Sequence, residues 1–178
     1  APVFLVHGAG GGVMRFETLA GHLATRRPVW ALQLVGDPAR RASARVECLA
    51  ALYVEQIRAA YPDPQRVMAG FSFGGAVAVE MGRILTALGE PPVAVVLFDT
   101  TAPWRWWRGK GATRRVVHDL RVGLRRWSWR LGRGEFDADP FLRRALRWYR
   151  PEPYAGAAVF VEAAGAPIET HLGWRHLL

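Results

Sequence analysis

The chain is 178 residues long, 51% hydrophobic, with a single cysteine and a formal net charge of +9. That length is expected to make about one domain with a sizeable core, and one cysteine excludes an internal disulfide framework. No apolar run is long enough to span a membrane and no signal-peptide pattern opens the sequence. A cytoplasmic protein is therefore expected, and a chain that begins at Ala1 already on a strand reads as a piece of a longer protein.

Val3-Phe4-Leu5-Val6 predicts a strand over 3–7. It runs into His7-Gly8-Ala9-Gly10-Gly11-Gly12. This loop lacks the Gly-Lys-Ser/Thr ending of a phosphate-binding loop and the spacing of a dinucleotide fingerprint. A strand followed by His-Gly and a flexible glycine loop matches one half of an α/β-hydrolase oxyanion hole, with Ala9 offering its N–H. His7 is expected to orient the loop rather than carry protons. Helices are expected near 14–25 and 44–61, with a strand near 29–34 between them. The second helix repeats Val46, Leu49, Ala50, Tyr53 and Ile57 at a helical period, and Pro62 stops it. Cys48 is assigned to the same apolar face, as core.

A strand over 66–71 delivers Gly70-Phe71-Ser72-Phe73-Gly74, and a helical pattern follows over 75–88. In that context Gly-x-Ser-x-Gly is a sharp strand-to-helix turn that lifts a serine Oγ to the top of a sheet. The alternative is a glycine-lined turn with an incidental serine. Of the three serines, Ser43, Ser72 and Ser128, only Ser72 stands at such a turn. The helix N-terminus brings free N–H groups and a partial positive charge, and the Phe73 N–H would be the second oxyanion donor. Val77, Met81, Ile84, Leu85 and Leu88 are expected on one face of this helix, with Gly89 as its cap.

Val93 to Asp99 reads as a buried parallel strand ending in one carboxylate. Asp99 would emerge beside the serine turn and hold a histidine in its working tautomer; the alternative is an Asp capping the turn before Thr100-Thr101. A last strand is expected near 157–162. Strands alternating with helices argue an α/β class, with a mostly parallel sheet and helices on both faces. Region 104–150 breaks the alternation. It carries 14 basic residues against four acidic ones, so the rest of the chain is nearly neutral. Val117, Leu120, Leu124, Trp127 and Leu131 form an apolar helical stripe there. The segment reads as a helical lid insertion with aromatic residues over an acyl pocket and a basic surface toward an acidic partner. Compositional bias is the plainer account of the charge, since 23 Arg stand against one Lys.

Four stretches carry a resemblance: Pro2 to Gly11, Gly70 to Ala76, Val96 to Thr100, and Tyr149-Arg150-Pro151-Glu152-Pro153-Tyr154. They resemble the thioesterase domain that ends nonribosomal peptide synthetases and polyketide synthases, a domain of the α/β-hydrolase fold. The likeness covers most of the chain and is weak over 104–148. It implies Ser72 as nucleophile and Asp99 as the acid of a triad, with Ala9 and Phe73 forming the oxyanion hole. It implies an acyl or peptidyl chain taken from a carrier-protein phosphopantetheine thioester and released by hydrolysis or cyclisation. The carrier protein, in the same polypeptide, is the expected partner. No metal, directly bound cofactor, nucleic acid or membrane is expected.

The resemblance also implies a histidine in a Gly-Asp-His-like turn after one further strand. No such turn occurs before Leu178. His171 and His176 follow the last predicted strand, and His171 reads as a surface residue at a helix start. The expectation is a single domain, 1–178, truncated at its C-terminus and inactive alone for want of its base. Two other readings stay open: a generic carboxylester hydrolase of the same fold, and a non-catalytic acyl- or carrier-binding module.

Overall fold

The computed structural model describes residues 1–35, 45–102, 139–164, 173–174 and 177–178. Five strands run parallel: β1 (Val3–Val6), β2 (Val29–Leu32), β3 (Val67–Phe71), β4 (Ala94–Phe98) and β5 (Ala158–Val161). Their order across the sheet is β2-β1-β3-β4-β5. Parallel neighbours require long crossovers. The described helices are α1 (Glu17–Ala24), preceded by one 3-10 turn at Met14–Phe16, then α2 (Val46–Ala60), α3 (Phe73–Ala87) and α4 (Asp139–Trp148). Among the described residues, no helix is long and apolar enough to cross a membrane.

Side-chain alternation along the strands divides the core in two. On one face Phe4, Val6, Met68, Val95 and Leu97 pack with the buried residues of α2, α3 and α4. On the other, Val3, Leu5, Val67 and Ala69 pack with Phe16, Val13 and Leu19. The interior strand β1 is buried along its whole length, whereas the edge strand β5 alternates and leaves Val159 and Val161 exposed.

The α2 stripe is buried as its period predicts, with Val54 added to it. Cys48 departs from expectation: it is exposed. At about 100° per residue, position 48 stands roughly opposite Val46, Ala50 and Tyr53. Adjacency to Leu49 in sequence does not place it on that face.

Helix α3 begins at Phe73, two residues ahead of the expected start. At its far end Gly89 takes a positive φ of 78°. Its N–H donates to Thr86 O (3.0 Å) and the Glu90 N–H donates to Leu85 O (2.9 Å), a Schellman stop. Val77, Met81 and Leu85 are buried as expected. Leu88 is half exposed, because it is the C-cap rather than part of the packed stripe.

The N-terminal edge of β3 is closed by Arg66, whose side chain is fully buried. Its guanidinium donates to Glu90 Oε2 (2.8 Å) and to the Tyr61 and Pro62 carbonyls (2.9 and 3.2 Å). Arg58 joins the same carboxylate at 2.8 Å. The end of α2, the start of β3 and the end of α3 are thereby tied together.

Helix α4 packs against α3 and buries Leu142, Ala145 and Leu146. Just beyond it the Tyr149 hydroxyl donates to Glu80 Oε2 (2.9 Å). Arg83 bridges Glu80 and reaches Glu152. Burial, then the Glu80 carboxylate, pushes the Tyr149 pKa far above its ordinary value. The rest of the expected lid, 104–138, with its apolar stripe and most of its arginines, lies outside the described residues, as do Ser43, Ser128, His118, His171 and His176.

Candidate active site

Strands β1, β3 and β4 are adjacent and parallel, so their C-terminal ends open on one edge, where ligands meet α/β sheets. The register pairs Phe71 with Phe98 and Val6 with Gly70. The residues that follow these strands, Ser72, Asp99 and His7, therefore leave the sheet side by side.

Ser72 has φ 54° and ψ −110° and is the N-cap of α3. A non-glycine residue in such a sparsely populated region costs on the order of 1–3 kcal/mol and persists only where its surroundings over-determine it. Here the Ser72 N–H donates to Phe98 O (2.9 Å) and the Gly75 N–H donates to Ser72 O (3.2 Å). The two glycines after Phe73 allow the helix to leave at this angle. A Cβ on Gly74 would lie 2.4 Å from both the Val6 and His7 carbonyl oxygens, and one on Gly75 would lie 1.9 Å from Thr100 Oγ1. This close approach is also why α3 starts early: the glycines that look like turn residues are its first turn, pressed against β1 and the end of β4.

Phe73 is the first residue of α3, so its N–H has no acceptor within the helix. Its buried ring stacks on the His7 imidazole, with centroids 6.1 Å apart and planes 15° apart. Ala9 is buried in the glycine loop, which is shaped by Gly11 N–H to Gly8 O (3.0 Å) and Leu34 N–H to Gly11 O (3.0 Å). Neither the Ala9 nor the Phe73 amide donates a loop or turn backbone hydrogen bond to another described residue. The first turn of α3 carries no acidic side chain, so its partial positive charge is not neutralised locally.

Asp99 also has a positive φ, 44°. Its N–H donates to Val161 O (3.0 Å) and its Oδ1 accepts the Ala163 N–H (2.7 Å). Among the described residues, no histidine hydrogen-bonds this carboxylate. Beneath it, Thr100 is buried and donates to Phe98 O (3.1 Å). Thr100 O in turn accepts the Nε1–H of Trp174 (3.0 Å), a fully buried side chain. The sequence offers no local signal for this role of Trp174, which depends on a contact 74 residues away.

His7 is fully buried, with Nδ1 2.6 Å from Gly8 O and Nε2 2.8 Å from the Tyr53 hydroxyl. Burial lowers its pKa, a shift opposed by the bond to Gly8. Both ring nitrogens are engaged away from Ser72, which suits an orienting role. Tyr53, read from the sequence as core, is buried but spends its hydroxyl here; buried tyrosines find a partner for that group, which was the available clue. His22 sits exposed on α1 and donates to Thr18 O (2.7 Å).

A serine strained at a helix N-terminus, with amide donors on either side and a carboxylate one strand away, suits acyl transfer through a tetrahedral oxyanion. Comparison with known proteins agrees. Residues 1–125 match the family model "Thioesterase domain". The chain is 37% identical over 106 residues to malpinin synthetase of Mortierella alpina, covering 58% of this chain and 1% of that protein. It is 36% identical over 90 residues to microperfuranone synthase of Emericella nidulans, covering 50% of this chain and 10% of the other. It thus spans a small fraction of the length of the curated relatives it matches. Among solved structures, the NocB thioesterase domain in covalent complex with a fluorophosphonate nocardicin G analog superposes with a TM-score of 0.72 at 24% identity, covering 99% of this chain and 79% of that one. The RedJ thioesterase from the prodiginine pathway of Streptomyces coelicolor superposes with a TM-score of 0.69 at 26% identity, covering 98% and 75%. The chain belongs to the thioesterase domain family, with the α/β fold of thioesterases associated with nonribosomal peptide and polyketide synthesis.

Proposed function

We propose that this domain releases an acyl or peptidyl chain from the phosphopantetheine arm of a carrier protein. Ser72 Oγ attacks the thioester carbonyl, and the Ala9 and Phe73 N–H groups receive the oxyanion. The C–S bond breaks and the thiol leaves with a proton, so the chain rests as an ester on Ser72. Water or a nucleophile within the chain then displaces it. The single observation that supports this reading most is Ser72 itself, held at φ 54° between β3 and α3, since strain of this kind clusters at sites that use it.

Asp99 is proposed to orient the histidine that acts as general base. His7 and His22 make other bonds; following the family resemblance, the base is proposed to lie in a turn after one further strand beyond β5, in a cytoplasmic protein that carries its own carrier domain. The substrate brings the phosphopantetheine, and the domain is proposed to need no cofactor of its own. The 104–150 insertion is proposed to cover the acyl chain and dock the carrier with its arginines. If so, the rate on a carrier-bound substrate falls steeply with salt while that on a small thioester mimic does not.

The test is mass spectrometry of the natural full-length protein after reaction with a fluorophosphonate or an acyl thioester. An adduct on Ser72 is expected. An adduct on Ser43 or Ser128, or none, would overturn the assignment.

A further inference from the structure

Tyr53 lies on α2, a helix that carries none of the proposed catalytic groups. Phenylalanine would fill the same apolar space, so the hydroxyl calls for an explanation. Its oxygen is 2.8 Å from His7 Nε2. On the other side of that ring, Nδ1 is 2.6 Å from Gly8 O. A carbonyl oxygen only accepts, so Nδ1 carries the proton. A neutral imidazole then has its lone pair on Nε2, and the Tyr53 hydroxyl must donate to it. Burial holds His7 in that neutral form.

The Gly8 carbonyl therefore receives two donors, His7 Nδ1–H and the Gly11 N–H. This carbonyl and the Ala9 N–H belong to one planar trans peptide and point in opposite directions. Fixing the first fixes the second. The same imidazole stacks on Phe73, whose N–H is the other oxyanion donor of the proposed mechanism. We infer that Tyr53 is a positioning residue for the oxyanion hole, acting through His7 on the direction of the Gly8–Ala9 peptide. The inference rests on the function proposed above, because it concerns the donors that function uses.

A misaimed donor costs less than a deleted one, which costs about a hundredfold or more in kcat. In the natural full-length protein, Tyr53→Phe is expected to lower kcat about tenfold with KM within about twofold of wild type, because the oxyanion forms only in the transition state. Phosphonylation of Ser72 should slow by a similar factor, since the phosphonyl oxygen uses the same donors. Tyr61→Phe, a hydroxyl deletion just past the same helix, serves as the control and should leave both rates unchanged. Independently, nitrogen NMR of wild-type protein labelled at histidine should show His7 neutral, protonated at Nδ1 and bare at Nε2. A merely structural Tyr53 would lower the melting temperature without splitting kcat from KM. Wild-type labelling of Ser72 with an unchanged kcat in folded Tyr53→Phe overturns the inference alone. An Nε2–H tautomer in wild type overturns it too, whether or not the variant folds. Failure of wild-type Ser72 to label overturns the function reading and this inference with it.

Discussion

The two ends of β3 treat the backbone in opposite ways. At its C-terminal end the chain enters Ser72 at φ 54°, and the neighbouring strand ends in Asp99 at φ 44°. At its N-terminal end Arg66 fills the gap between elements with hydrogen bonds to Glu90 and to two carbonyls at the end of α2. One end holds conformations that cost free energy; the other pairs a buried guanidinium with a carboxylate and two carbonyls. Substitutions at the two ends should therefore act differently. Changes at the Ser72 edge should separate activity from stability, and changes at the Arg66 edge should move stability alone.

The largest expected effect is that of Ser72→Ala. Turnover of an acyl thioester should fall on the order of a thousandfold or more, with a melting temperature close to wild type. Appreciable turnover in that variant would remove the Ser72 edge from the chemistry.

Asp99→Asn comes next. The amide would favour the wrong tautomer of the histidine it is proposed to face, so turnover should fall about a hundredfold or more while the fold is kept. Steady-state kinetics beside a melting curve would check this. Unchanged turnover would assign another acid, and a collapsed melting temperature would place Asp99 with the structural end.

Gly74→Val should strike stability at the active edge. Its Cβ would meet the Val6 and His7 carbonyls at 2.4 Å, and backbone cannot yield as a flexible side chain does. A loss of about 2–3 kcal/mol is expected from denaturant unfolding. A neutral result would mean that α3 does not press on β1 as described.

The smallest effect is expected at the opposite end. Arg58 and Arg66 hold the Glu90 carboxyl below the ordinary carboxylate range. A carboxyl depressed by folding contributes stability above its unfolded value, and that contribution is lost as pH falls through the folded value. Glu90→Gln should therefore lower the melting temperature modestly near neutrality and flatten its fall in acid below about pH 4.5, with turnover unaffected. A change in kcat would show that the two ends are coupled through β3.

Much of this was legible in the sequence because it is written in local pattern. The strand near 3–7 and the strand before Ser72 are continuous apolar runs, and their burial on both faces makes such runs necessary; the strand ending at Asp99 is as continuous a run, yet only Val95 and Leu97 are buried and Ala94, Val96 and Phe98 are half-buried. The α2 stripe follows from a period of 3.6 residues, and the same period, applied strictly, would have put Cys48 outside. The Gly-x-Ser-x-Gly turn announces itself because only small residues tolerate that approach of helix to strand.

What the sequence could not decide depends on groups far apart in the chain meeting in space. That α3 starts at Phe73 follows from how closely Gly74 and Gly75 press on β1 and Thr100, a distance set by the assembled sheet. Strand order, which sets His7, Ser72 and Asp99 side by side, is a property of the whole sheet. The hydrogen bonds of Tyr53 to His7, Ala163 to Asp99 and Trp174 to Thr100 join residues 46, 64 and 74 positions apart. Hydrophobic period announces which side chains leave water, but it is indifferent to where a buried hydroxyl or indole N–H finds its partner; that is settled only when desolvation forces each to pair within the packed fold.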